Sequence, residues 1–133
     1  MQNNFVTIDS TNPQCIRVTF SDKEPTMAEF EEYLEASLKV MLTDKDFVVI
    51  SDISKMKYLK SEFRIRQGNF FKKHEKKIAE VCLGSAYVVP SVIGRMILNG
   101  VFLINKPATP SAVVSSLAEA EKWTPERLRQ GKK

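Results

Sequence analysis

The sequence predicts an α/β domain with a mixed, mostly parallel sheet, an N-terminal β-hairpin and about four helices. The chain opens with the two-residue alternation of half-buried strands, interrupted by an Asn-Pro turn signal. Segments with helical spacing then alternate with short β-branched runs, in the order β-β-α-β-α-β-α-β-α. The 133 residues, 43% of them hydrophobic, are the size of one domain with one core. We therefore expect residues 1–133 to form a single domain.

The hairpin and the first helix are predicted from local patterns. The hairpin joins strands at Phe5–Ile8 and Cys15–Phe20. A capping box follows, in which the side chains of Thr26 and Glu29 would each accept a hydrogen bond from the other residue's backbone amide. The helix after it has an acidic outer face and an apolar face at helical spacing that comprises Met27, Phe30, Leu34, Leu38 and Met41.

The middle of the chain predicts a strand, a long helix and another strand. Phe47–Ile50 is a short β-branched run that suits a buried strand. A helix is expected to begin at Ser61 and to continue to Val81. Its inward face at helical spacing comprises Phe63, Phe70, Phe71, His74, Ile78 and Val81. Leu83–Val89 then returns to strand character and stops at a proline.

The apolar segment Val92–Ile104, VIGRMILNGVFLI, has two interpretations. Ser91 can cap a helix that begins at Val92. If this helix is continuous, it is apolar nearly all round and leaves a hydrophobic patch for a partner subunit, a lipid or an apolar ligand. If it instead ends at Asn99-Gly100, a buried strand follows.

The C-terminal part predicts a last strand and a last helix. Ala112–Val114 is a short strand candidate. Ser116 and Glu119 have the spacing of a second capping box. The helix that this box opens is expected to turn Leu117, Ala120 and Trp123 inward.

The charges are unevenly distributed. Residues 1–52 carry four Lys and Arg against ten Asp and Glu, whereas residues 53–133 carry sixteen against six. Nine of the basic side chains fall within Lys55–Lys77. Such a segment can attract nucleic acid, anionic lipid or an acidic partner, or it can be a solvated face beside the acidic helix. Nucleic acid ranks last, because exposed aromatic residues for base stacking and a known docking motif are not expected here.

No pattern predicts an enzyme, a metal site or a cofactor. Neither Cys15 nor Cys82 lies at a recognisable helix start, and the five glycines are too scattered to form a phosphate loop. His74 has no acid or thiol at metal-ligand spacing, so a partly buried, hydrogen-bonded ring is expected. No secretory signal is expected, because the first residues lack a basic region followed by a long apolar stretch. The longest apolar stretch, Met96–Ile104, is too short for a membrane span. We therefore expect a cytoplasmic protein with reduced cysteines.

The junction between the third strand and the second helix combines position and chemistry. The apolar run ends at Asp52, and a short polar connection then reaches Ser61 at the helix start. Unpaired backbone N–H groups and the positive end of the helix dipole meet at such a start. A serine there can cap the helix, contact a phosphate or become a regulatory phosphoserine. The Asp52 carboxylate can close a turn or contact a partner.

Two segments and the order of elements resemble the STAS family, the SpoIIAA-like fold of anti-sigma factor antagonists. VVISDISKMKYLKSEF is similar to the family's strand, Asp-Leu-Ser-like turn and helix-opening Asp-Ser-Ser-Gly. SSLAEAEKW is similar to the Ser…Glu-Ala…Trp end of divergent members. Ser61 then occupies the position of the phosphorylatable serine. Lys60, Glu62 and Phe63 replace the family's Asp, second Ser and Gly.

The resemblance implies a bacterial-type signalling protein that is not an enzyme, that binds a regulatory protein, and that has Ser61 as its regulatory site. The residues predicted to contact the partner are Asp52, Lys60, Glu62, Arg64, Val92, Arg95, Met96 and Phe102. The apolar segment also predicts a homodimer. The alternative function is an apolar-ligand or anionic-membrane-surface binding module of the same fold, in which the basic segment contacts lipid headgroups.

Overall fold

The structure, a computed structural model, describes residues 1–104 and 109–131. Within these ranges the chain forms five strands and five helices. The strands are β1 Val6–Asp9, β2 Cys15–Phe20, β3 Phe47–Asp52, β4 Cys82–Val88 and β5 Ser111–Val114. The helices are α1 Met27–Met41, α2 Ser61–Lys73, α3 Glu75–Val81, α4 Val92–Ile104 and α5 Leu117–Gln130. The predicted α/β class is confirmed, with one helix more than expected because the second helix is divided.

The five strands form one sheet in the order β1-β2-β3-β4-β5. β1 pairs antiparallel with β2, as predicted for the hairpin, and the other three pairings are parallel. Parallel neighbours need crossover connections, which α1, the α2–α3 segment and α4 provide. Because β2 to β5 run in the same direction, their carboxyl ends meet at one edge of the sheet.

Helices cover both faces of the sheet. Val49 of β3 belongs to a large core cluster with side chains from α1, α2, α3 and α4. The next residue, Ile50, belongs to a smaller cluster with Ala120 of α5. Successive side chains of a strand point to opposite faces, so four helices pack on one face and α5 on the other.

The first helix begins as predicted but turns a different stripe inward. The Glu29 amide donates to Thr26 Oγ1 at 3.1 Å, and the Thr26 amide donates to Glu29 Oε1 at 2.9 Å. The buried side chains of α1 are Phe30, Tyr33, Leu34 and Ser37. The inward position expected for Met27 is wrong: this residue is 51% exposed, because the buried stripe is rotated toward Tyr33 and Ser37.

The long helix predicted over 61–81 is divided at His74. This residue has φ −107° and ψ 10°, so it ends α2 and precedes α3. It is half-buried, and its ring centroid lies 5.0 Å from that of Phe70. Apolar side chains on both sides of the break still face the same core.

The structure decides between the two interpretations of the apolar segment. Val92–Ile104 is one continuous helix, so the buried strand is wrong. Ser91 caps it as predicted, since its Oγ accepts a hydrogen bond from the Gly94 amide at 3.0 Å. Leu98 is buried in the core. Among the α4 side chains that the structure describes, the exposed apolar ones are Val92, Ile93, Met96 and Leu103.

The last helix begins at a cap and continues through a proline. Ser116 Oγ accepts from the Glu119 amide at 3.2 Å. The Glu119 carboxylate accepts from the amide of Ser115 instead of Ser116, so the predicted capping box is only half formed. α5 continues through Pro125, and the hydroxyl of Thr124 donates to the carbonyl oxygen one turn earlier at 3.1 Å.

Candidate functional site

The candidate site begins at the carboxyl end of β3. Asp52 is the last residue of this strand, and its Oδ1 accepts a hydrogen bond from the Ser54 amide at 3.0 Å. Of its two predicted roles, the structure shows the closing of a turn. The connection to α2 is held in place by Ile53 and Leu59, which are both buried in the large core.

The cap predicted at the start of α2 is absent. Lys60 occupies the cap position without a side-chain cap bond, and Ser61 is the first helical residue. A cap residue has non-helical backbone angles, so Ser61 lies one position too late for this role. Lys60 Nζ lies 3.0 Å from Glu24 Oε1, and the hydrogen bond to Glu24 raises the pKa of Lys60. Glu62 is exposed in the first turn, where the helix dipole favours a carboxylate.

The hydroxyl of Ser61 has Arg64 as its partner. Arg64 Nη2 donates to Ser61 Oγ at 2.8 Å, at the three-residue spacing at which helical side chains meet. Ser61 is exposed, whereas Arg64 is half-buried. An exposed hydroxyl that lies beside a guanidinium group at a helix start is well placed to carry or contact a phosphate.

The same guanidinium group connects α2 with α4. Arg64 Nη1 lies 2.8 Å from the point that a Cβ atom would occupy at Gly100. Met96 and Leu103 lie one turn on either side of Gly100 and share its helix face. Arg64 therefore joins part of the predicted α2 group to part of the predicted α4 group in one surface. This α2–α4 surface comprises Ser61, Glu62, Arg64, Val92, Ile93, Met96, Gly100 and Leu103.

The α4 part of this surface is apolar and exposed. Met96 is 66% exposed and Leu103 is 89% exposed. Arg95 is exposed nearby, and its Nε donates to the Val89 carbonyl oxygen at 3.3 Å. Phe102, also predicted to contact a partner, instead packs inward as a half-buried side chain. Its ring centroid lies 5.4 Å from that of Tyr87 in an edge-on arrangement.

Ion pairs neutralise part of the basic segment. Arg66 donates through Nε and Nη2 to the Glu31 carboxylate of α1, at 3.1 and 2.8 Å. Lys77 Nζ lies 3.7 Å from Glu80. These pairs are partly exposed, so they contribute little to stability, but they reduce the positive potential of the segment. Tyr58 is 61% exposed, so the expectation that the segment has no exposed aromatic side chain is wrong.

The described residues contain no group of side chains that could hold a metal ion. Both cysteines are free thiols, and burial raises the pKa of Cys15 and of Cys82. They therefore stay protonated near neutral pH, which makes them weak nucleophiles. In the part of the chain that the structure describes, no helix is long and apolar enough to cross a membrane.

Two solved structures share this architecture over nearly the whole chain. A DUF3478-family protein with a SpoIIAA-like fold from Shewanella loihica is 12% identical, with a TM-score of 0.65 and coverage of 93% of this chain and 98% of that one. An anti-sigma-factor antagonist (STAS) domain protein from Planctomyces limnophilus is 16% identical, with a TM-score of 0.61 and coverage of 98% and 100%. The chain has a STAS-like fold. No family model and no curated protein matches it.

The likeness confirms the predicted fold, but a shared fold does not determine function. Sequence reasoning missed the contact between Arg64 and Gly100, because the two residues are distant in the chain and no local pattern joins them. It also missed the burial of Ser37. A signal for that burial was present, since Ser37 follows Phe30 and Tyr33 at helical spacing, but a serine does not count toward an apolar stripe.

Proposed function

We propose that this STAS-like domain is a non-enzymatic regulatory protein that binds a protein partner through the α2–α4 surface. The observation that carries the proposal is the position of Arg64, which contacts Ser61 and lies at Gly100. This arrangement connects a modifiable hydroxyl group to an exposed apolar helix face. A partner on this face would cover Met96 and Leu103 and would meet Arg64 beside them.

The apolar half of the surface supports a protein partner, and the first candidate is a second copy of the chain. Contiguous exposed apolar side chains are typical of protein–protein contacts. A symmetric dimer uses the same patch on both subunits, so α4 of one copy would pack against α4 of the other. Met96 lies inside the exposed stripe and would be buried in such an interface.

Ser61 is the proposed control point of the surface. A phosphate on its Oγ would add a charge of about −1.5 to −2 beside Arg64. The guanidinium group would then form charge-assisted hydrogen bonds with the phosphate oxygens. This would draw Arg64 toward Ser61 and away from Gly100, and it would replace a neutral hydroxyl by an anion at the edge of the apolar stripe. Both changes would weaken an apolar contact.

Light scattering of the wild-type protein and of Met96→Glu tests the proposed dimer. We expect a wild-type dimer and a folded monomeric variant, because an unpaired carboxylate is costly to bury in an interface. Met27→Glu is the matched control, since this methionine is 51% exposed in the first turn of α1 and lies outside the surface. It should leave the dimer intact. A wild-type monomer would contradict self-association, and a misfolded Met96→Glu would assign Met96 to the core.

An anionic membrane surface is the alternative partner. The observation that favours it is the group of exposed lysines near the division between α2 and α3, Lys72, Lys73, Lys76 and Lys77. Co-sedimentation with vesicles at low and high salt discriminates between the two partners. Binding that requires anionic lipid and weakens with salt would favour the membrane. If the protein stays in the supernatant at low salt, this alternative is removed.

A further inference from the structure

A cavity of about 140 Å³ lies between the sheet and the helices on its larger-core face. The apolar part of its wall is formed mainly by Val18, Val49, Phe71, Ile78, Leu98 and Phe102. An engineered apolar cavity of about this volume in another protein stays dry and binds benzene. The cavity therefore has room for a molecule with one six-membered ring.

Ser37 provides an unused hydrogen-bonding group in this cavity. The residue is 1% exposed and lines the cavity, and its Oγ has no hydrogen-bond partner among the described residues. Buried hydroxyl groups are nearly always hydrogen-bonded, because an unpaired one keeps its full desolvation penalty. A helical serine commonly bonds to the carbonyl oxygen one turn earlier, but Ser37 does not. Its hydroxyl is thus available to a molecule inside the cavity.

The remaining polar lining is almost entirely uncharged. Further hydroxyl groups come from Tyr33, Ser51, Ser85, Tyr87 and Thr109. Burial raises the pKa of Tyr33 and raises that of Tyr87 to about 12, so both phenol groups keep their protons at neutral pH. Glu75 is the one charged side chain among the described lining residues. Its carboxylate would repel an anionic ligand.

We infer that this cavity binds a small uncharged molecule with one ring and one hydroxyl group, of the class of simple phenols. The ring would fill the apolar volume and contact Phe71 and Phe102, and the ligand hydroxyl would pair with Ser37. This site does not depend on Ser61 or on the exposed face of α4. It does include the inner side of α4, through Leu98 and Phe102, so an occupied cavity would support the helix whose outer side carries Met96.

Titration of the full chain with phenol, benzene and benzoate, followed by amide NMR shifts, tests the inference. We expect phenol to bind more tightly than benzene, and benzoate to fail to bind at concentrations that saturate the protein with phenol. Ser37→Ala should weaken phenol binding about tenfold, the usual effect of one lost hydrogen bond. The same variant should bind benzene as the wild type does, because the apolar volume is retained.

Ser37→Leu is a second variant, whose larger side chain would occupy the cavity and exclude all three molecules. The fluorescence of Trp123, which packs on the opposite face of the sheet, reports whether each variant is folded. The inference fails if the wild type binds neither phenol nor benzene, if benzoate binds as well as phenol, or if Ser37→Ala keeps the wild-type affinity for phenol. If Ser37→Leu does not fold, the titrations of the wild type and of Ser37→Ala with the three ligands still test the inference.

A monomeric wild-type protein that binds phenol would support the cavity site and contradict the dimer, so the two proposals can fail separately.

Discussion

Arg64 lies against α4 at Gly100, with its Nη1 2.8 Å from the position that a Cβ atom would take there. Nη2 of the same guanidinium group donates to Ser61 Oγ at 2.8 Å. One side chain therefore contacts a hydroxyl in the first turn of α2 and fills a gap in the surface of α4. Substitutions at Ser61, Arg64 and Gly100 should consequently affect one another more than those at residues without a shared partner.

Replacing Gly100 by alanine should displace Arg64 at little cost in stability. The atom nearest to the new Cβ is the end of a long flexible side chain, which can withdraw while the backbone stays in place. Alanine is also favoured over glycine inside a helix by about 1 kcal/mol. Urea unfolding of Gly100→Ala should therefore give a free energy of unfolding within about 1 kcal/mol of the wild type. A loss of several kcal/mol would show that α4 cannot accept a side chain here.

An acidic side chain at Ser61 should stabilise α2. Ser61→Asp places a carboxylate in the first turn, beside Arg64 and the positive end of the dipole, which contributes about 0.3–1 kcal/mol at low salt. Chemical unfolding at two salt concentrations measures the gain, which should shrink as salt rises. Ser61→Ala is the uncharged control. A double-mutant cycle with Arg64→Gln measures the contribution of the ion pair between residues 61 and 64. If Ser61→Asp raises the free energy of unfolding by the same amount when residue 64 is glutamine, the stabilisation comes from the helix dipole and not from the ion pair.

Gly84 differs from Gly100 because a packed aromatic ring lies next to it. A Cβ atom at Gly84 would lie 2.9 Å from the Trp123 ring and 3.1 Å from Arg127 Cγ. The ring lies between the sheet and α5, so it cannot withdraw without moving the helix. We expect Gly84→Ala to lower the free energy of unfolding by about 1–3 kcal/mol. The fluorescence of Trp123, the one tryptophan of the chain, should change as well. Gly100→Ala is the matched control, and equal losses in both variants would contradict this account.

Local patterns were sufficient to predict the sheet and most of the helices. Strand alternation predicted the hairpin, and Thr26 with Glu29 predicted the start of α1, because both signals depend on residues that are close in sequence. The division at His74 left no such signal. The apolar residues before and after it keep a spacing that a continuous helix would also have, and only the backbone angles of His74 separate α2 from α3.

The site depends more on contacts between distant residues. An Asn-Gly pair favours a helix end, yet α4 continues through Gly100, where Arg64 occupies the space that a side chain would need. Ser61 was correctly located at the start of α2, but a shift of one residue changed its partner from a backbone amide to Arg64. A helix start predicted from sequence is uncertain by more than one residue, so this change could not be foreseen.

Tyr33, which is buried, and Tyr87, which is half-buried, should make the fold sensitive to high pH. Burial raises the pKa of Tyr87 from an ordinary 10.0 to about 12, and it raises the pKa of Tyr33 as well. The folded protein therefore keeps protons that the unfolded chain releases in this range. The contribution of Tyr87 to the free energy of unfolding is fully present below pH 10.0 and is lost as the pH rises toward about 12. Each such group gives a slope of about 1.4 kcal/mol per pH unit at most.

Tyr87→Phe should make this decline less steep, because the variant lacks one of the phenol groups whose pKa is raised. It keeps the ring that packs against Phe102, so the stability at neutral pH should change little. Tyr58→Phe removes the hydroxyl of an exposed ring and should leave the pH dependence as it is in the wild type. Urea unfolding at a series of pH values measures all three proteins. If the wild type keeps a constant free energy of unfolding up to pH 12, the phenol groups ionise inside the fold as they do in water. The lining of the cavity would then be open to solvent, which contradicts a binding site for an uncharged ring.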